Sequence, residues 1–173
     1  MSSTELIKQA IATKGRANLL FSGKSMYPTL KDSMMLSIVK ASFPSIKVSD
    51  IIAYQDDNII VAHRVIGKVY NNKELAFITK GDNQPFGGIG RVEQKDLIGK
   101  VVGAFYKDGL KENILNKNLL YSLSFVFLGR AYLFYRKFIR KNIPEFLRMF
   151  LKEFVRGLHF IFRKFTSLTE NLC

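Results

Sequence analysis

Residues 58–83, NIIVAHRVIGKVYNNKELAFITKGDN, contain two apolar runs separated by the polar segment YNNKE. Both runs are rich in β-branched and aromatic residues, which favour strands, and asparagine tolerates the positive φ of a tight turn. The stretch therefore predicts a β-hairpin. Similar short runs, with no helical pattern between them, lie on both sides of it: ANLLFS, MMLSIV, DIIAYQ and DLIGKVVGAFY. We predict a mainly β domain of antiparallel strands that ends near Tyr106.

Helical patterns occupy the two ends of the chain. Ser3 or Thr4 can cap a short N-terminal helix, and Gly15 is positioned to end it. After Tyr106 the pattern becomes helical, and Pro144 begins the second helix of this region. We therefore divide the chain into three parts: an N-terminal helix (1–16), a β domain (17–106) and a helical tail (107–173).

The tail carries most of the excess positive charge. The formal net charge is +13; residues 1–106 hold 14 basic and 9 acidic side chains, whereas residues 107–173 hold 13 and 5. Ten of the 15 phenylalanines also lie in the tail. This balance predicts an anionic partner, either a nucleic acid or the headgroup surface of a membrane.

The first helix of the tail is apolar from Leu119 to Gly129, where Arg130 interrupts it. A span needs about 20 residues, and a central arginine costs about 2.5 to 3.5 kcal/mol on insertion scales. We therefore expect membrane association, with a span extended to Tyr135 as the less favoured alternative.

The second helix of the tail has an apolar face opposite a basic face. Phe150, Phe154 and Ile161 belong to the apolar face, and Lys152 and Arg156 to the basic one. Such a helix predicts an interfacial anchor on an anionic membrane surface, at the cytoplasmic face because cationic segments stay on that side. A helix that covers the β domain is the alternative.

The stretch FSGKSMYPTL, residues 21–30, is the candidate nucleophile segment. Serine is a weak nucleophile, so a hydrolase needs a base beside it and amide N–H groups facing the developing oxyanion. Gly23 permits a tight turn before Ser25, and Pro28 fixes the chain after it. A serine between glycine and proline is otherwise an ordinary turn residue.

His63 and Asp82 are the candidate partners of that serine. The chain has two histidines, and the other, His159, lies in the tail, so His63 is the candidate base. Asp82 follows a predicted strand in TKGDNQP and could orient the imidazole through its second ring nitrogen. The alternatives are a buried core histidine for His63 and a turn residue for Asp82.

The order GKSMYPTL, VSDIIAY, VAHRVIG, TKGDNQP and KDLIGKVVG, over residues 19–103, resembles the signal peptidase I family. The wider group includes the LexA-like self-cleaving proteins, and the resemblance implies a mainly antiparallel β fold. Bacterial members have a lysine base in a K-R-V strand, whereas the archaeal and endoplasmic reticulum type has histidine. The sequence AHRV therefore resembles the Ser–His branch.

The resemblance also implies roles for individual residues. Ser25 corresponds to the nucleophile, His63 to the base and Asp82 to the first aspartate of the G-D-N box. A second acidic residue follows in that branch, but NQPFGGIGRVEQKD has none in the expected place, so the orienting role falls on Asp82. The Ser25 N–H corresponds to the oxyanion donor, and Gly23 stands where some relatives have an added hydroxyl. Met26, with Gly23 and Pro28, is expected to form the oxyanion and substrate-binding segment.

The implied activity is serine endopeptidase cleavage of signal, leader or propeptides after small residues. Typical members have an N-terminal transmembrane helix; MSSTELIKQAIATKG lacks a continuous hydrophobic run, so we expect neither an anchor nor a cleaved signal there. The hydrophobic, basic tail comes after the catalytic residues instead. A cytoplasmic leader or propeptide substrate is therefore expected.

Two other classes of function stay open. A non-catalytic scaffold of the same fold would not react with a fluorophosphonate at Ser25. A LexA-like DNA-linked regulator needs a helix-turn-helix, and fewer than 20 residues precede NLLFSG, so no nucleic-acid partner is expected. We expect no cofactor or metal, because two distant histidines and the lone Cys173 form no ligand cluster, and that cysteine permits no intrachain disulfide.

Overall fold

The structure, a computed structural model, describes residues 3–71, 74–84, 87–106, 111–112, 119–139 and 144–170. The helices are α1 (Ser3–Lys14), α2 (Leu119–Phe134), which continues as a π-helical turn (Tyr135–Ile139), and α3 (Glu145–Glu170). A short 3-10 helix occupies Phe43–Ser45. The strands are β1 (Arg16–Leu20), β2 (Met35–Val39), β3 (Ile51–Asp56), β4 (Ile59–Asn71), β5 (Glu74–Lys80), β6 (Ile89–Val92), β7 (Leu97–Phe105) and β8 (Lys111–Glu112).

One curled sheet contains all of these strands, in the order β1-β2-β7-β3-β4-β5-β6, with β8 paired to β7. Every pairing is antiparallel. The predicted mainly antiparallel β fold with a helical C-terminal part is therefore confirmed at this level. The short strand β6 was not predicted, because IGRV lies among glycines and has no β-type apolar run.

The predicted hairpin is formed by β4 and β5, which pair from Asn71 opposite Glu74 to Arg64 opposite Lys80. The central residues of the predicted turn, 72 and 73, lie outside the described residues. Because side chains alternate along a strand, neighbouring residues of β4 serve opposite faces of the sheet. Ala62 packs in one core cluster with Met26 and Ile51, and Val65 packs in the other.

The N-terminal helix packs against the first cluster and ends as expected. Gly15 has φ +72° and its N–H donates to the Ile11 carbonyl at 3.0 Å, which closes the last turn of α1. Ile11 is buried in the cluster. Thr4 is buried, and its hydroxyl donates to the carbonyl of Asn58 at 3.3 Å. Thr4 therefore ties the helix to the turn before β4.

Helix α2 packs on β4. Phe125 and Val126 are buried, and a Cβ at Gly129 would come within 3.0 Å of the Ile66 side chain. Arg130, the residue that interrupts the apolar run, donates from Nε to the Ile66 carbonyl at 2.9 Å. This helix therefore covers part of the sheet, a role that we had considered only for the second helix of the tail. Among the described helices, none is both long and apolar enough to cross a membrane.

Candidate active site

The turn after β5 binds the backbone of the Ser25 segment. The Asn83 N–H donates to the Ser25 carbonyl at 2.8 Å, and Asn83 Nδ2 donates to the Lys24 carbonyl at 2.9 Å. A Cβ at Gly81 would lie 2.6 Å from the Ser25 carbonyl oxygen, so only glycine allows this approach. The sequence GDN thus holds the candidate nucleophile segment by its main chain.

Ser25 itself is half-buried at this turn. Neither its hydroxyl nor its N–H forms a hydrogen bond with a described residue. The preceding turn is fixed by Asp32, whose Oδ1 accepts the Gly23 N–H at 2.7 Å. That hydrogen bond is the main cause that lowers the pKa of Asp32.

A buried ion pair stands beside this turn. Arg64 donates from Nε to Asp82 Oδ1 at 2.8 Å and from Nη2 to Asp82 Oδ2 at 2.6 Å. The Thr29 hydroxyl donates to the same Oδ2 at 2.5 Å, and Arg64 Nη1 donates to the Ser49 carbonyl at 2.9 Å. Because the pair is bidentate and almost fully buried, it fixes the Asp82 turn against β4.

His63 lies on the opposite face of β4 from Arg64. Its Nδ1 is 3.1 Å from the hydroxyl of Tyr54 on β3, and that hydroxyl is 3.4 Å from the Thr79 hydroxyl on β5. Nε2 has no hydrogen bond to a described residue. His63 is only 8% exposed. Burial is the main cause that lowers its pKa, to about 4; Lys80 lowers it too, whereas Asp82 and Asp56 oppose the shift.

This pKa predicts a pH dependence of stability. Between pH 4 and 6.5 the histidine of the unfolded chain binds a proton that the folded His63 does not, so the free energy of unfolding rises with pH there. The gain is on the order of 3 kcal/mol, complete above the unfolded pKa and lost as pH falls to the folded one. Urea unfolding at a series of pH values measures it. His63→Gln should remove this slope and His159→Gln should keep it; an unchanged slope in His63→Gln would refute the assignment.

The structure brings some of the predicted site residues together and leaves others apart. The Ser25 carbonyl is bound at the Asp82 turn through Asn83, whereas His63 forms no hydrogen bond with Ser25 among the described residues and is the chain neighbour of Arg64, the partner of Asp82. The expected hydrogen bond from the His63 ring N–H to Asp82 is not among the contacts of either side chain: both carboxylate oxygens are bound by Arg64 and Thr29, and Nδ1 faces Tyr54.

The remaining predicted residues of the Ser25 segment are mostly internal. Pro28 is buried, and the side chain of Met26 is fully buried in the first core cluster. Met26 therefore anchors the Ser25 turn to the core, and its side chain has no exposed surface for a substrate to contact. Gly23, at φ +120°, has a conformation that favours glycine.

A small cavity of about 20 Å³ lies on the Arg64 face, between the sheet and the two tail helices. Lys80 and Asp82 line it from the sheet, and His159 lines it from α3. Burial lowers the pKa of Lys80 to about 8, against the opposing effect of Asp82. His159 Nε2 donates to the Asp82 carbonyl at 2.9 Å, so the second tail helix contacts the same turn as Ser25.

Sequence reasoning did not identify Tyr54, Thr79 or Lys80, because each lies in a run that predicts only a strand. Arg64 carried a usable signal: a charged residue inside an apolar strand needs a buried carboxylate, and Asp82 lies in the turn that follows the paired strand. Within the part of the chain that the structure describes, no group of three His, Cys, Asp or Glu side chains could hold a metal ion.

The fold and the site define a mainly antiparallel β protein with a serine turn, a buried Arg–Asp pair and a buried histidine. No family model matches the chain. The search of curated proteins also finds no match.

Proposed function

We propose that this protein is a serine endopeptidase of the signal peptidase I type, with Ser25 as nucleophile and His63 as base. One observation carries the proposal: the Arg64–Asp82 ion pair joins the turn that binds Ser25 to the strand that carries His63. Ser25 is bound to the residue that follows Asp82, and His63 is the residue before Arg64. The bidentate pair joins the serine turn to the strand that carries the imidazole, which lies on the opposite face of that strand from the pair. This connection supports a site that includes both residues.

The chemistry is acyl transfer to the serine. Ser25 Oγ attacks the peptide carbonyl while His63 Nε2 accepts its proton, and the Ser25 N–H donates to the oxyanion. His63 then returns the proton to the leaving amine, and water releases the acyl group from Ser25. At neutral pH the low pKa of His63, about 4, keeps the imidazole unprotonated and its Nε2 lone pair free to accept the proton.

The expected substrate is a signal, leader or propeptide that binds in an extended conformation. Small side chains before the scissile bond are the expected preference, because family members that the sequence resembles select them. Extended binding supplies main-chain hydrogen bonds and lets alternate side chains enter pockets.

Labelling with a fluorophosphonate, followed by peptide mass analysis, tests the proposal. The adduct is expected on Ser25 of the full chain, and His63→Ala should slow its formation. Lys80→Met is the matched comparison, since Lys80 is the other buried base near the turn. Absence of an adduct would refute the activity, and slow labelling in Lys80→Met alone would transfer the role of base to Lys80.

We further propose that α3 binds an anionic membrane surface. Its inward side includes Val155 and His159, which line the cavity beside the sheet. The large apolar side chains of its other side are exposed, by 71% at Phe146, 68% at Phe150 and 56% at Phe154. The apolar side of α3 is therefore not packed against the other described parts of the protein.

Cations beside that face supply the charge complementarity. Lys152 and Arg156 are exposed on its flank, and Lys164 lies 5.1 Å from the ring centre of Phe160. Phenylalanines can enter the acyl boundary while these cations stay near anionic headgroups. The cytoplasmic face is the proposed side, because its leaflet is anionic.

The paired substitution Phe150→Ser and Phe154→Ser tests the membrane proposal. Binding to vesicles that contain phosphatidylserine should fall by about tenfold or more, because each buried phenylalanine contributes about 1.5 to 3 kcal/mol. Added salt should weaken wild-type binding. Vesicle sedimentation measures both effects. Ile59→Ser, which removes an equally exposed apolar side chain from the β domain, is the control; equal binding by all three proteins would refute the proposal.

A further inference from the structure

The second ring nitrogen of His63 faces a phenol. Tyr54 Oη is 3.1 Å from Nδ1, and the two ring centres are 6.1 Å apart at an interplanar angle of 60°. Tyr54 is 5% exposed and His63 is 8% exposed, so water has little access to this contact. Asp82, the expected orienting carboxylate, is occupied by Arg64 and Thr29.

We propose that Tyr54 is the positioning residue of His63 and takes the place of the triad's carboxylate. The inference rests on the proposed function, because it assigns the third member of the same Ser25 and His63 site. In this role Tyr54 acts through the histidine and does not touch the substrate.

The protons balance in this arrangement. A neutral imidazole that accepts a proton at Nε2 must carry its own hydrogen on Nδ1, and it donates this hydrogen to Tyr54 Oη. After Ser25 transfers its proton, both ring nitrogens carry hydrogens and the Nδ1 bond to Oη persists. The phenol keeps its hydrogen throughout, and its oxygen also accepts from the Thr79 hydroxyl at 3.4 Å, since a hydroxyl both donates and accepts.

The surroundings leave room for the three hydrogen-bonded side chains of His63, Tyr54 and Thr79. A Cβ at Gly90 would lie 2.8 Å from Thr79 Oγ1 and 3.0 Å from Tyr54 Oη, so the glycine of β6 leaves the space that the two hydroxyls occupy. Thr79 is fully buried. Burial raises the pKa of Tyr54, which keeps the phenol neutral at working pH.

A neutral phenol and a carboxylate differ in what they do to the histidine. A carboxylate would favour the imidazolium by its charge, whereas Tyr54 gives Nδ1 only a neutral acceptor. Burial is the main cause of the low pKa of His63, about 4. Asp82, Asp56 and Lys80 are the charged groups that act on His63 from the neighbouring strands and turn.

Nitrogen NMR of the full chain labelled in histidine tests the inference without any activity. The chain has two histidines, so the signals of His159 are identified by their loss in His159→Gln. Wild-type His63 should carry its hydrogen on Nδ1, and Tyr54→Phe should shift it toward the Nε2 form. A tautomer that does not change in Tyr54→Phe would overturn the inference, whatever Ser25 does.

The rate of fluorophosphonate labelling gives a second readout. Tyr54→Phe keeps the ring and should slow labelling of Ser25 by about tenfold to a hundredfold, at most what loss of a general base costs. Tyr70→Phe, at a tyrosine that is 75% exposed, should label at the wild-type rate. Equal rates in Tyr54→Phe and wild type would overturn the inference and leave the peptidase proposal intact. Absence of labelling in both would refute the peptidase proposal, and the NMR result would still decide what Tyr54 does.

Discussion

Ser25→Ala should abolish cleavage of a peptide that has small residues before the scissile bond, with a loss of at least about a thousandfold. Only the hydroxyl is removed, and it forms no hydrogen bond with a described residue, so the free energy of unfolding should stay close to that of the wild type. A nucleophile is needed in every turnover, which makes this the largest expected effect. Mass spectrometry of the products measures it.

The matched variants are His63→Ala and the combination of both substitutions. Residues that act as one unit are not additive, so the double variant should lose no more activity than Ser25→Ala alone. Ser33→Ala removes an exposed serine hydroxyl from the same loop and should cleave normally. Full turnover by purified Ser25→Ala would remove the nucleophile assignment, and additive losses would mean that Ser25 and His63 work separately.

Asp82→Ala should lower the free energy of unfolding by about 3 to 5 kcal/mol, because it leaves the Arg64 guanidinium buried without its carboxylate. The side chains of Arg64 and Asp82 are only 3% and 1% exposed, so water cannot replace the lost partner. For a chain of this size the midpoint of thermal unfolding should fall by roughly 10 °C. Urea and thermal unfolding measure the two quantities.

Two further variants test the cause of that loss. Replacing the pair together, by Arg64→Met and Asp82→Leu, should recover most of the stability, since apolar groups of similar volume need no charge partner. Arg91→Met breaks an exposed pair with Glu93 and should leave the midpoint unchanged. An equally large loss in the double variant would mean that the ion pair is not the reason for the effect.

The double variant also separates two roles for Asp82. If the Asp82 carboxylate only holds the turn, the double variant should still react with the fluorophosphonate at Ser25, because Ser25 and His63 then require only that the turn is folded. If Asp82 orients His63 directly, the recovered protein should stay unlabelled.

The fold was largely predictable because its strands have distinct local signals. The hairpin of β4 and β5 was predicted from two apolar runs and an asparagine turn, and the end of α1 from Gly15. By contrast, β6 has no local signal, since IGRV becomes a strand only through its pairing with β5. Tertiary pairing decides such segments, and composition does not.

The residues of the proposed site carry signals of residue type in the sequence, but their partners do not. Ser25 and His63 were identified by motif and by elimination, but the partner of Nδ1 depends on which residues of β3 and β5 lie across from β4. A register cannot be read from one strand alone. The sequence therefore suggested Asp82 as the partner of His63 Nδ1, whereas Tyr54 is the residue beside that nitrogen and Arg64 binds the carboxylate.

Arg64 and His63 are consecutive residues, yet their side chains lie on opposite faces of the sheet. Sliding β4 by one position against its neighbours would exchange the two layers, bringing a guanidinium among apolar side chains and leaving a carboxylate without its cation. The electrostatic cost of an unpaired charge therefore disfavours the shifted pairing. The ion pair favours the observed register of β4, and this register places the imidazole of His63 on the face opposite to Arg64.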